Sequence, residues 1–262
     1  MNLNENRGRK LYGSKSGDFA QREIKIMGFT RKGIESRISK KIDEFLFKRG
    51  FSKSGIGGYD KKTNNDFLRI SFVVNTVSDI KGNFVIGYSF SLRINEIEEI
   101  WEKYRTILGE ERRPLADTIG FGRAVINPSS NKYPEHRFAK GGGEFIKEEE
   151  DLFKYIDEFK QEYEELMLPF IEKVKDIKWL DSIINTEIEN ISSKTQYISN
   201  IGFWYKRIII AKLANNQDYE VIYKWIRNRF QKGYEESGNE KYKSIVTVLD
   251  NVYFDLNAID LI

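Results

Sequence analysis

Two stretches of strict alternation dominate the first half of the chain. In "FLRISFVVNTV", Leu68, Ile70, Phe72 and Val74 share one side, while Arg69, Ser71 and Asn75 share the other. "FVIGYSFSLRI" repeats the pattern, with Phe84, Ile86, Tyr88, Phe90, Leu92 and Ile94 against Gly87, Ser89, Ser91 and Arg93. A side-chain period of two, interrupted by "SDIKGN", predicts an antiparallel hairpin with one buried face and one small, polar face. That polar face is either solvated or available to a partner.

Elsewhere the spacing is helical. Ile34, Ile38, Ile42, Phe45 and Leu46 form one stripe, closed by Gly50 as a stop signal. Asn95 is expected to cap "EIEEIWEKYRTIL", with Ile97, Ile100, Trp101, Tyr104 and Leu108 inward and carboxylates in the dipole-favoured first turn. From Glu148 a long helix is expected to run to Pro169, burying Leu152, Ile156, Phe159, Tyr163 and Leu166. Pro169 is then tolerated in the first turn of the next helix. Three further helices follow. The last two carry stripes at Val221, Ile222, Trp225, Ile226 and Phe230, and at Tyr242, Ile245, Leu249, Val252, Tyr253 and Leu256. "TIGFGRAVIN" reads as a third or fourth strand, and "SKSGIGGYDKKTNND" as a glycine-rich connector with room for a short strand near Tyr59.

The resulting expectation is an α+β fold: a helix plus an antiparallel meander of three to four strands, then a mostly α-helical C-terminal part. The chain divides into a basic arm (1–30), an α+β sheet region (31–146) and a helical region (147–262). The last either packs on the sheet or forms a subdomain of its own. No sequence period supports a solenoid.

Composition narrows the chemistry. With 262 residues, 40% hydrophobic and 14% aromatic, the chain has the material for a sizeable core. It has no cysteine, which excludes disulfides, thiolate metal sites and a cysteine nucleophile and suits a reducing cytoplasm. The polar start and the short longest apolar run, "IIIA", lead to the expectation of a cytoplasmic protein with no membrane span. Charge is unevenly placed. Residues 1–62 hold 16 Lys/Arg against 7 Asp/Glu, a net of +9, and residues 144–189 hold 6 against 15, a net of −9. The two segments either compensate each other or face different partners.

Motifs for catalysis are weak. The glycines before Tyr59 lack the Lys-Ser/Thr pair that a phosphate loop needs. The lone histidine, His136, sits in "YPEHRFAKGGGEF" with no assignable orienting carboxylate and no nucleophile-elbow serine, so a polar loop is the expected role. Glu148 to Asp151 are consecutive and fan around a helix. Glu158, Glu162 and Glu165 share a face, but no histidine accompanies them as a carboxylate-bridged metal pair requires. Asp60-Lys61-Lys62 has nuclease-like spacing without a second acid on the following strands. No cofactor and no metal are therefore expected.

Residues 34–184 resemble the small bacterial α+β domains of the "domain of unknown function" type found among toxin-immunity and defence loci. The resemblance is carried by "ISKKIDEFLFKRGFSKSG" leading to "GYDKK", by the paired strands, and by "LPFIEKVKDIKWLDSII" after a long acidic helix. It implies a non-enzymatic intracellular binding protein, an immunity protein that masks a toxin or another protein. On that reading Arg69, Arg93, Arg123, His136, Arg137 and Lys140 are the candidate partner-binding residues. The alternative is a nucleic-acid-associated defence factor gripping phosphates with Arg7, Arg9, Lys10, Arg31 and Lys32. An enzyme with an unassigned carboxylate pair is a third possibility.

Overall fold

The computed structural model describes residues 30–63, 66–77, 84–108, 118–189 and 202–258. Arg7, Arg9 and Lys10 lie outside them. Helix α1 (Arg31–Phe47) opens with the Thr30 hydroxyl accepting from the Gly33 N–H at 3.1 Å, and buries Ile34, Ile38, Ile42 and Leu46. Strands β1 (Ser52–Lys53), β2 (Gly58–Thr63), β3 (Asp66–Thr76) and β4 (Phe84–Arg93) then form an antiparallel run. The register pairs Ile70 with Phe90 and Phe72 with Tyr88, so the apolar sets of both long strands face the same way.

Two short strands complete a six-stranded sheet, both on the edge of β4 that β3 leaves free. Strand β5 (Ile119–Gly122) pairs with Ser89 to Leu92, and β6 (Glu144–Ile146) pairs with Phe84 to Ile86. They lie end to end, leaving an interval opposite Gly87 and Tyr88. Strand β5 is shorter than the alternation in "TIGFGRAVIN" suggests. It stops at Gly122, and Arg123 starts one helical turn, α3 (Arg123–Ile126), at that interval.

Helix α2 (Asn95–Arg105) follows β4 directly. The expected Asn95 cap is corrected: Ile94 occupies the cap position and makes no side-chain cap bond. Asn95 Oδ1 instead accepts from Arg93 Nε at 2.6 Å, which removes it from capping duty. Across the inner sheet face lies α4 (Glu149–Glu162), which centres Phe159 against Phe72 and Tyr88 at 4.8 and 5.1 Å between ring centroids.

Beyond α4 the helix widens into a π turn, Tyr163–Met167, before α5 (Leu168–Lys175). This corrects the expected burial of Leu166. At about 4.4 residues per turn the wider coil carries Leu166 out of the inner stripe, leaving it 36% exposed, and Met167 takes the buried place. Pro169 supplies the cause, because it offers no N–H to the carbonyl of Glu165 four residues back.

Helices α6 (Ile177–Ile184), α7 (Phe203–Leu213), α8 (Tyr219–Ser237) and α9 (Glu240–Ala258) finish the fold. Helix α7 is buried on nearly every side, with Ile208, Ile209, Ile210 and Ala211 inaccessible and the charged Lys206 and Arg207 enclosed as well. One continuous apolar cluster runs from α1 and the sheet to α9. Val221, expected inward on α8, is 54% exposed, while Ile222, Ile226 and Phe230 are buried. The protein is α+β with a helical C-terminal part. Among the described residues no helix is long and apolar enough to cross a membrane.

Candidate functional site

The interval between β5 and β6 is where polar side chains converge. Arg123 emerges there from a backbone that has just left the sheet, so its side chain turns inward and is only 3% exposed. Every nitrogen of its guanidinium is engaged. Nε and Nη2 grip Glu162 of α4, with Nε–Oε2 and Nη2–Oε1 both 2.8 Å. Nη2 also donates to Glu158 Oε2 at 2.9 Å, and Nη1 donates to Glu144 Oε1 at 3.2 Å and the Gly142 carbonyl at 3.4 Å. The Tyr155 ring lies 5.1 Å beneath.

Glu162 is saturated from its own side. The Tyr88 hydroxyl donates to Oε2 at 2.8 Å, and Asn127 Nδ2 donates to Oε1 at 2.8 Å. Burial alone would raise its pKa, yet hydrogen bonds from Arg123, Asn127 and Tyr88 outweigh burial and hold it below the usual carboxylate range. Arg123 shows the mirror image: burial works against its charge, while bonding to Glu162 and Glu158 raises its pKa. Lys132 reaches Glu144 at 2.8 Å and is raised by that bond. Buried charges of both signs are thus paired and bonded, which is the condition for keeping them in a protein interior.

The glycines in the quoted loop serve this packing. Gly142 has φ +88°, and a Cβ there would stand 2.5 Å from Ser130 Oγ and 2.9 Å from the Ala124 nitrogen. A Cβ on Gly143 would meet a Val85 methyl at 2.8 Å. The loop therefore folds tightly onto the outer face of β4, where Val77, Val85 and Ala139 form a small satellite core with Tyr133, Phe138 and Phe145 around it.

Over the Arg123 cluster opens a cavity of about 290 Å³. Its lining includes Glu144, Glu158, Glu162 and Glu165 against Arg123 and Lys132, an excess of two negative charges. The exposed Leu166 at the π turn also borders it. A second, larger cavity of about 540 Å³ lies between α6, α8 and their loops. It presents Asp181, Glu187, Glu189 and Asp218, with no basic residue in its lining among the described residues, beside the half-buried Trp225. Behind it, Arg207 is fully buried, bonded to Asn185 Oδ1 at 3.0 Å, and burial lowers its pKa to about 10.

The sequence-derived candidates fall in three places. Arg69 is half-buried on the outer sheet face and forks onto Asp60 of β2 at 2.8 and 3.0 Å. Arg93 is buried at the β4–α2 junction, bonded to Asn95 and 3.8 Å from Glu98. Arg123 organises the cavity just described. His136, Arg137 and Lys140 share the loop: His136 accepts from the Phe138 N–H at 3.3 Å and packs edge-on against Phe145, and Arg137 lies over the Phe138 ring. Arg31 and Lys32 stand exposed at the start of α1, with Arg31 bonded to Glu35 at 2.8 Å.

Glu144, Glu158, Glu162, Asn127, Tyr88 and Tyr155 gather around Arg123, although the sequence had brought together only Glu158 and Glu162, on one helical face. One signal was available. Glu162 falls on the same helical stripe as Leu152, Tyr155, Ile156 and Phe159, and a carboxylate on an inward stripe demands a buried cation. Chemically, the cluster offers hydrogen-bond acceptors at its rim and charge-balanced groups at its base. Among the described residues no group of His, Asp and Glu is arranged to hold a metal ion. Comparison with protein-family models, with curated proteins and with solved structures gave no match, so the geometry alone carries the functional reading.

Proposed function

We propose that this chain acts by binding a protein, as an immunity protein binds and masks a toxin, and that its partner presents a basic surface. The observation that supports this is the lining of the two acidic cavities, where among the described residues eight carboxylates stand against two cations. Such recesses attract ammonium and guanidinium groups and repel phosphates, which favours a basic protein over nucleic acid. The saturated state of Glu162 points the same way: an ionised carboxylate with both oxygens already bonded is poorly placed to move a proton.

Co-expression with the product of each neighbouring gene tests the reading directly, with rescue of growth expected against one that is toxic alone. Glu165 and Glu189 are exposed at the two cavities, so the variant Glu165→Lys/Glu189→Lys leaves the core intact while reversing charge at both. It should weaken the purified complex, and affinity should fall as salt rises. Absence of rescue, or undiminished binding by the double variant, overturns the proposal.

A further inference from the structure

Beside the Arg123 cavity, and sharing Lys132, Glu144 and Glu158 with it, is a recess of about 90 Å³ also walled by Tyr155, Asp151 and Lys154. Three oxygens on its walls have unused capacity. The Tyr155 side chain is 2% exposed and its hydroxyl has no hydrogen-bond partner. Glu158 spends Oε2 on Arg123, while its Oε1 has only Lys154 Nζ at 3.9 Å. Arg123 and Lys132 both bind Oε1 of Glu144, which leaves Oε2 unbonded. A buried hydroxyl left without a partner costs free energy, so its presence on a recess wall marks a place completed by something else.

Size and geometry define the occupant. A recess of about 90 Å³ suits a compact group. An ammonium has three N–H donors and no acceptor, matching three oxygens of which two carry negative charge. A planar guanidinium is less well served, because Arg123 and Lys132 already take one oxygen each of Glu158 and Glu144, so neither carboxylate offers both oxygens to a fork. Resting on the basic-partner reading above, we propose that this recess receives the ammonium of one lysine of the partner, with Glu158 Oε1, Glu144 Oε2 and Tyr155 Oη each taking an N–H.

The test is an NMR titration of the full chain with n-butylammonium, n-butylguanidinium and n-butanol at constant ionic strength. Butylammonium should bind best and shift amides of β6 and α4. Its affinity should fall about tenfold in Glu158→Gln and several-fold in Tyr155→Phe, the scale of one charge-assisted hydrogen bond. Thermal melts of both variants confirm that they remain folded. Equal binding of n-butanol identifies a merely hydrated recess and overturns the inference, as does unchanged affinity in Tyr155→Phe. Dimethylating the partner's lysines should weaken the complex, and undiminished binding would overturn it too. If butylammonium fails while Glu165→Lys/Glu189→Lys still weakens the complex, the lysine recess is wrong and the basic-partner reading stands. If the amine binds as described while the double variant has no effect on the partner, the basic-partner reading fails instead.

Discussion

Replacing Arg123 by methionine keeps most of the side-chain volume and removes the charge, which leaves Glu162 buried without its cation. At least two carboxylates lose their bonds at once, since Glu162 is gripped at 2.8 Å by two nitrogens and Glu158 at 2.9 Å by one. Breaking one side of a buried ion pair costs about 3–5 kcal/mol. At about 2–4 °C per kcal/mol that corresponds to a melting temperature lower by roughly 6–20 °C. The pH dependence should also change sign. In the wild type the pKa of Glu162 is held low, so its contribution is present above the ordinary carboxylate pKa of about 4.3 and is lost as pH falls through the depressed value. Without Arg123, burial dominates and raises that pKa, so stability is lost as pH rises through it. Urea unfolding followed by tryptophan fluorescence from pH 5 to 8 should show the variant more stable at the acid end. Arg123→Met/Glu162→Gln keeps a partner for Tyr88 and Asn127 without the stranded charge, and should recover most of the loss. A variant within about 1 kcal/mol of wild type, or a double variant no better than the single, would refute the reasoning.

Tyr155→Phe removes a hydroxyl the chain leaves unbonded, so the melting temperature should hold or rise, by up to about 1–3 kcal/mol of stability; a clear fall would show an intramolecular partner. Gly142→Ala should destabilise by about 1–3 kcal/mol, since it combines φ +88° with a 2.5 Å clash, whereas Gly141→Ala, with nothing within 4 Å of its Cβ, should be nearly silent in the same melts. Lys206→Met removes the near cation of the fully buried Glu98, whose Oε1 lies 2.6 Å from Lys206 Nζ, leaving Arg93 at 3.8 Å, and should cost about 3 kcal/mol by urea titration. Equal midpoints for that variant and wild type would show that the pair contributes nothing.

Period-two alternation made β3 and β4 legible, because a sheet with one dry face imposes that period on every residue it buries. The stripes of α1, α2 and α4 were legible for the same reason at helical spacing. What escaped were local departures from periodicity. Leu166 left its stripe because Pro169 disrupts the turn before it, and the single-period pattern carries no record of a widened turn. Arg123 read as a partner-binding residue in a strand, with no sign of its burial, because that burial depends on Glu162, Glu158 and Glu144 arriving from distant parts of the chain. Two-dimensional patterns find faces. Convergence of charges across a chain of this length is a three-dimensional property, and only the inward carboxylate Glu162 hinted at it.

The division of one β4 flank between β5 and β6 has a consequence for how this molecule meets others. Among the described residues no long row of unpaired backbone groups is offered on that side, since the covering pieces are only four and three residues long. At the opposite margin β1 covers Tyr59 and Asp60, and β2 continues as Lys61 and Lys62, side chains that discourage an approaching strand. Strand addition, whether by a peptide ligand or by a second copy on the way to aggregation, finds little purchase here. Under the binding role proposed above, recognition would then pass through side chains and recesses, with the sheet as their frame.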